Sequence, residues 1–106
     1  MTLTKEEFKT LLMLYIANVD GIIQEEEVRV MLEKSGFDTV DKMENIFAKM
    51  NDTDALECIR ENKPFYADTE ASRLDLIRDL CEVIEADEKC TLFEEQMLKE
   101  MRRVLE

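Results

Sequence analysis

The 106-residue chain contains no histidine, and that absence removes more chemistry than any residue it does contain. Without His there is no Cys-His or Ser-His nucleophile pair, no imidazole-bound zinc, and no Glu-x-x-His ligand pair of a di-iron bundle. Two glycines and one proline leave little material for turns and none for a phosphate-cradling loop. Cys58, Cys81 and Cys90 are three in number and lack paired spacing, so neither a disulfide framework nor a thiolate metal site is indicated. They read as reduced, half-buried small apolar residues, with Cys58 the least constrained. No stretch approaches the ~18 apolar residues of a membrane span, and the N-terminus has no basic segment leading into an apolar run. Direct membrane insertion is not expected, and the reading is of a cytoplasmic protein.

Cations are also scarce. Fourteen Lys and Arg face 26 Asp and Glu, a formal net charge of −12. Nucleic-acid binding draws its affinity from Lys and Arg that replace condensed counterions, so this balance argues against a nucleic-acid partner. It favours solubility, accumulation of cations, or a protein partner with a basic surface.

What is present is helix-forming. Hydrophobic residues make up 45% and charged residues 38% of a chain dominated by Glu, Leu, Met, Lys and Ala, which points to an all-α domain spanning residues 1–106. Thr4 and Glu7 form a capping box between Leu3 and Phe8, so a first helix begins at about Lys5. Its apolar stripe runs through Phe8, Leu11, Leu12, Tyr15, Ile16 and Val19 and stops at Asp20 and Gly21. A second helix starts near Gln24, turns Val28, Met31 and Leu32 inward, and ends at Ser35 and Gly36, where glycine supplies a left-handed terminus. Val40, Met43, Ile46, Phe47 and Met50 support a third helix over 39–50. Leu56 and Ile59 support a shorter fourth, ending before Lys63 and Pro64. From Thr69 a long pattern through Leu74, Leu76, Ile77, Leu80, Cys81, Val83 and Ile84 reaches Asp87, and its wide stripe marks this as the most buried, central helix. Thr91 and Glu94 form another capping box, and Phe93, Met97, Met101 and Val104 lead the last helix to the C-terminus. Met31, Met43, Met50, Met97 and Met101 all sit on apolar stripes, so packing explains them better than soft-metal binding.

Two of these helix-loop-helix units repeat. Asp-x₆-Glu occurs as Asp20 to Glu27 and as Asp87 to Glu94, at an interval of 67 residues. Ile16 with Val83, Ile23 with Cys90, Val30 with Met97 and Met31 with Leu98 fall in the same phase. The expected architecture is therefore about six helices around one core, with the two units related by an approximate two-fold and the middle helices bridging them. A carboxylate at each loop mouth and another one turn into the next helix place Asp20, Glu27, Asp87 and Glu94 where a hard cation such as calcium, magnesium or manganese can sit. The twelve-residue EF-hand template does not fit, because its first ligand position falls on apolar Ile16 and Val83 and Glu88 replaces the turn glycine. A purely structural alternative stands beside cation binding. Glu at the third helical position bonds back to the cap and meets the positive helix end, and Asp is an ordinary turn residue, so each pair also serves as a loop closure. Glu25, Glu26, Glu85, Glu88 and Glu95 read as peripheral or solvated.

Ala-x-x-Asp-Gly-x₅-Glu after an apolar helix, repeated as Ile-Glu-Ala-Asp-x₆-Glu, resembles the TerB-like family of tellurite-resistance proteins over most of the chain. The resemblance implies an all-helical domain in which the Asp and Glu of each motif contribute to an acidic, divalent-cation-binding cluster. By matching position that role falls on Asp20, Glu27, Asp87 and Glu94. Gly21 matches the motif and Glu88 departs from it. The function implied is a small non-catalytic cation-binding protein in a stress or metal-resistance system, acting through a protein partner. The other reading is a metal-independent helical interaction module with an acidic docking face.

Overall fold

A computed structural model describes residues 1–18, 23, 25–85 and 92–106, the side chains of 92–95 and 97 excepted. Among the described residues there are six helices and no strand: α1 (Lys5–Ala17), α2 (Glu25–Ser35), α3 (Phe37–Phe47), α4 (Asp52–Tyr66), α5 (Glu70–Glu85) and α6 (Leu92–Leu105). The all-α expectation holds. The turns expected at Asp20 and Gly21 and at Asp87, with Val19, Gln24, Glu88, Cys90 and the Thr91 cap, lie outside the described residues.

α1 begins where its cap requires. Glu7 N–H donates to Thr4 Oγ1 at 3.1 Å and Thr4 N–H to Glu7 Oε1 at 2.9 Å, while Leu3 and Phe8 are both buried as the hydrophobic staple. The four-residue run Leu11, Leu12, Met13 and Leu14 is fully buried, so α1 is covered on all sides and touches each of the other five helices. This corrects the expectation that the helix starting near Thr69 is central. α5 packs on α1, α2 and α6, and Leu74, on its apolar pattern, is 57% exposed at the edge of a groove between α5 and α6.

Two further boundaries differ from the sequence reading. Gly36 closes α2, its N–H reaching Leu32 O at 2.9 Å, and opens α3 in the same step, so α3 starts at Phe37 rather than at residue 39 and ends at Phe47 rather than at 50. At φ 83° and ψ 161° only glycine is comfortable, and a Cβ built there meets nothing within 4 Å, so the requirement is conformational rather than steric. α4 runs through Pro64 to Tyr66. Its last turn is held from outside: Tyr66 Oη donates to Leu3 O, its ring lies 5.6 Å from that of Phe8, and Asn62 binds the chain start. α4 also opens with a reciprocal Asn51 and Asp54 cap, and Thr69 and Ser72 bond reciprocally at the start of α5.

Contacts between helices fix their directions. Lys9, early in α1, and Lys34, late in α2, meet at Asp79 at 3.6 and 2.9 Å, so α1 and α2 run oppositely. Lys5 and Glu6 share a shallow cleft with Ser72 and Asp75, so α1 and α5 start at the same end. Glu7 pairs with Lys42, and Leu14 with Phe47 borders one cleft, so α3 runs with α1. Asn62 bonds Leu3 N–H while Asn51 and Asp52 lie by Asn18, which sets α4 against them. Lys63 reaches Val104 O at 3.0 Å, and Arg102 borders Ile77, so α6 runs against α5. The bundle therefore alternates up and down. One end, the base, holds the starts of α1, α3 and α5; the other, the loop end, holds their finishes together with the starts of α2, α4 and α6.

The pairing of the two repeated units has the pattern a two-fold requires. α1 packs on α2 as α5 packs on α6, α1 and α5 face each other, and the cross pair α2 with α5 has its counterpart in α1 with α6. α2 and α6 also begin one repeat interval apart, at Glu25 and Leu92.

Candidate metal centre and acidic end

Of the four carboxylates singled out by the repeat, Glu27 is fully described. It is the third residue of α2 and only 1% exposed, whereas its neighbours Glu25 and Glu26 are exposed, as is Glu85 at the finish of α5. A carboxylate is rarely taken out of water unless charge or hydrogen bonds meet it. The start of a helix, with its unpaired N–H groups and positive dipole end, supplies part of that. Glu94 holds the same third position in α6, though its side chain, like Asp20 and Asp87, lies outside the described residues.

Alternation of the helices brings the starts of α2 and α6, with Glu27, to one end. Counted from the meeting point at Asp79, Ala17, Glu27 and Glu85 each lie about 9 to 12 Å further along their helices in the same direction, at a rise of ~1.5 Å per residue. The described helix ends that flank both Asp-x₆-Glu loops are thus on the loop side. Among the described residues no group of three Asp, Glu, Cys or His side chains is close enough to hold a metal, so the described part of the site is Glu27.

Charge is distributed unevenly between the two ends. First turns at the loop end carry Glu25, Glu26 and Glu27 on α2 and Asp52 and Asp54 on α4. The three helices that finish there, α1, α3 and α5, have no basic residue in their last turns. At the base the last turns of α2, α4 and α6 carry Lys34, Lys63, and Arg102 with Arg103. The negative C-terminal dipole ends are therefore met by cations at the base, and no last-turn Lys or Arg meets them at the loop end. Burial, followed by the carboxylates of Asp52 and Glu100, pushes the Tyr15 phenol above its ordinary value.

A cleft of mixed polarity opens beside this end, between the finishes of α1 and α3 and the start of α4, lined by Leu14, Ile23, Phe47 and Met50 together with Asn18, Glu44, Asn51 and Asp52. Ile46, Phe47 and Met50, whose spacing supported the third helix, are only half-buried. Met13, Met31, Met43 and Met101 are packed inside, in keeping with a structural use, while the side chain of Met97 is outside the described set. Cys58, expected to be the least constrained cysteine, is buried against the base, and burial raises its thiol and that of Cys81 above their ordinary values.

No helix among the described residues is long and apolar enough to cross a membrane. No family model, curated protein or solved structure matches the chain.

Proposed function

We propose that the protein is a non-catalytic divalent-cation binder of TerB-like type, whose loop end gathers Asp20, Glu27, Asp87 and Glu94 around one hard ion and presents an acidic face to a basic protein partner. The observation that carries this reading is the burial of Glu27 at the third position of α2, with the bare glutamate neighbours left in water. A residue serving only solubility would be exposed like Glu25 and Glu26. Support also comes from the phase of the repeat, which gives Glu94 the same helical position, and from the lack of last-turn cations where α1, α3 and α5 finish. Carboxylate-only donors select calcium, magnesium or manganese. A cytoplasmic role in stress or metal resistance, including tellurite resistance, accords with the motif resemblance.

Thermal unfolding tests the metal half. A cation at about 100 times its dissociation constant stabilises a fold by roughly 2.7 kcal/mol, a rise of order ten degrees for a domain of this size. Melting that is identical in chelator and in millimolar calcium, magnesium and manganese would reduce Glu27 to a loop-closing residue.

A second reading has its own observation. The cleft lined by Phe47 and Met50 together with Glu44 and Asp52 fits a metal-independent interaction module. Partner capture that is unchanged by chelator would favour it.

A further inference from the structure

Four large apolar side chains stand exposed among the described residues: Met1, Phe37, Phe65 and Leu74. All four belong to the base, at the chain start, the start of α3, the finish of α4 and the start of α5. Leu74 overhangs the groove between α5 and α6, where Ile77 and Leu105 are apolar and Glu70, Arg73 and Arg102 bring charge of both signs. A rim of both signs does not select a partner of one sign. It is, however, what a surface needs in order to complement a second copy of itself.

The order of charges on α5 meets that need. Glu70 stands four residues before Leu74 and Arg78 four residues after it, so each lies about 40° around the helix from Leu74 and about 6 Å along it. Both are exposed. When the α5 of a second copy is laid antiparallel on the first with Leu74 on Leu74, Glu70 of each copy comes level with Arg78 of the other, and the opposite-charge pair forms twice. A parallel alignment sets Glu70 on Glu70 and Arg78 on Arg78 instead. Arg78 is held only loosely on its own chain, 3.8 Å from Asp75 with both side chains largely exposed. An anionic lipid surface, another taker for an exposed leucine, is opposed by Glu70 and Asp75 on the same face.

Net charge decides which end can make such a contact. Two chains of −12 repel each other, and the loop end, where the first turns of α2 and α4 are acidic, is the least favourable place for them to meet. An antiparallel contact at Leu74 joins the bases and points the loop ends apart. Glu85, at the finish of α5, then lies roughly 33 Å along the axis from its counterpart, about three Debye lengths at 0.1 M salt.

We infer that the protein self-associates as a two-fold symmetric dimer through the α5 face centred on Leu74, with Leu74 packed on Leu74 of the second copy at the edge of the groove and Glu70 paired with the opposite Arg78. Both loop ends stay open, so the dimer presents two acidic ends facing away from each other. A contact built on one helix pair belongs with interfaces below about 1,200 Å², which are weak and concentration-dependent. It is independent of cation binding.

The test is sedimentation of the full chain in chelator from about 10 μM to 1 mM. The average mass of the wild type is expected to rise from one chain toward two. Leu74→Glu, at an exposed position, should abolish that rise without loss of helical content by circular dichroism. Glu70→Arg and Arg78→Glu change the net charge in opposite directions, yet each alone sets like charges across the two-fold and should weaken association roughly three- to tenfold. An equimolar mixture of these two variants should restore association, as should the double variant, because every such position again meets an opposite charge. A wild type that remains a single chain up to the highest concentration, a Leu74→Glu chain that associates like the wild type, or single variants that weaken association without recovery on mixing would overturn the inference.

Discussion

The two ends of the bundle are built on opposite principles. At the base, backbone and side-chain polar groups from distant segments are tied together: Asn62 holds Leu3 N–H, Met1 O and Cys58 O within 2.9 Å, Tyr66 reaches Leu3 O, and Lys63 reaches Val104 O. At the loop end the first turns of α2 and α4 stack acidic residues, with one of them, Glu27, drawn inside. Last-turn cations meet the helix ends at the base, whereas α1, α3 and α5 finish at the loop end without one and Arg29 pairs with Glu25 there.

Substitutions in the buried length of α1 should have the largest effect and so set the scale. Leu12→Ala removes a fully buried side chain from the helix that all the others contact, and unfolding experiments should show a loss of about 2–5 kcal/mol. Glu25→Gln and Glu26→Gln, exposed at the loop end, should stay within ~0.5 kcal/mol. If these glutamate changes rivalled Leu12→Ala, the division between the ends would be wrong.

Asn62→Ala addresses the base directly. It strands Leu3 N–H and two carbonyls, and equilibrium denaturation should record a loss of roughly 1–3 kcal/mol without any change in cation binding. Gly36→Ala should follow at about 1–2 kcal/mol, because the positive φ is strained for a side chain even though space is open.

The smallest effect is a pH dependence. Lys42, then the Thr4 cap, hold the Glu7 carboxyl below its ordinary value of 4.5. A carboxylate lowered on folding contributes stability that is complete above its unfolded value and is lost as pH falls through the lowered folded value. Lys42→Met should therefore cost up to about 1 kcal/mol near neutral pH, the Lys42 end being exposed, and that difference should shrink below the ordinary glutamate range. A gap that widened in acid would contradict the pairing.

Much of this organisation was legible in the residues. The Thr4 and Glu7 cap, the staple of Leu3 and Phe8, the six helical segments and the inward Met31, Met43 and Met101 follow from spacing alone. The central helix was misread because width of stripe was weighed over continuity: Leu11 to Leu14 is apolar through a whole turn, a pattern that leaves no face for solvent. The passage of α4 through Pro64 depends on Tyr66 and Asn62 reaching the chain start, a tertiary tie with no local signal. The half-burial of Ile46, Phe47 and Met50 was not legible, because periodicity cannot tell a covered apolar face from a half-open one. At the site, the repeat singled out Glu27, which is buried, and correctly set Glu25 and Glu26 apart as solvated. It could not distinguish a loop closure from a metal ligand, since both place Glu at the third helical position.

Isothermal titration of calcium, magnesium and manganese into the wild type, Asp20→Asn and Asp87→Asn decides that question. A single ion shared between the two repeats predicts one cation per chain, lost in each variant alone, with the empty variants as stable as the wild type or more so near pH 7 because like charges no longer crowd together. Two ions per chain, binding that survives both substitutions, or no binding together with loss of fold stability in both, would contradict it.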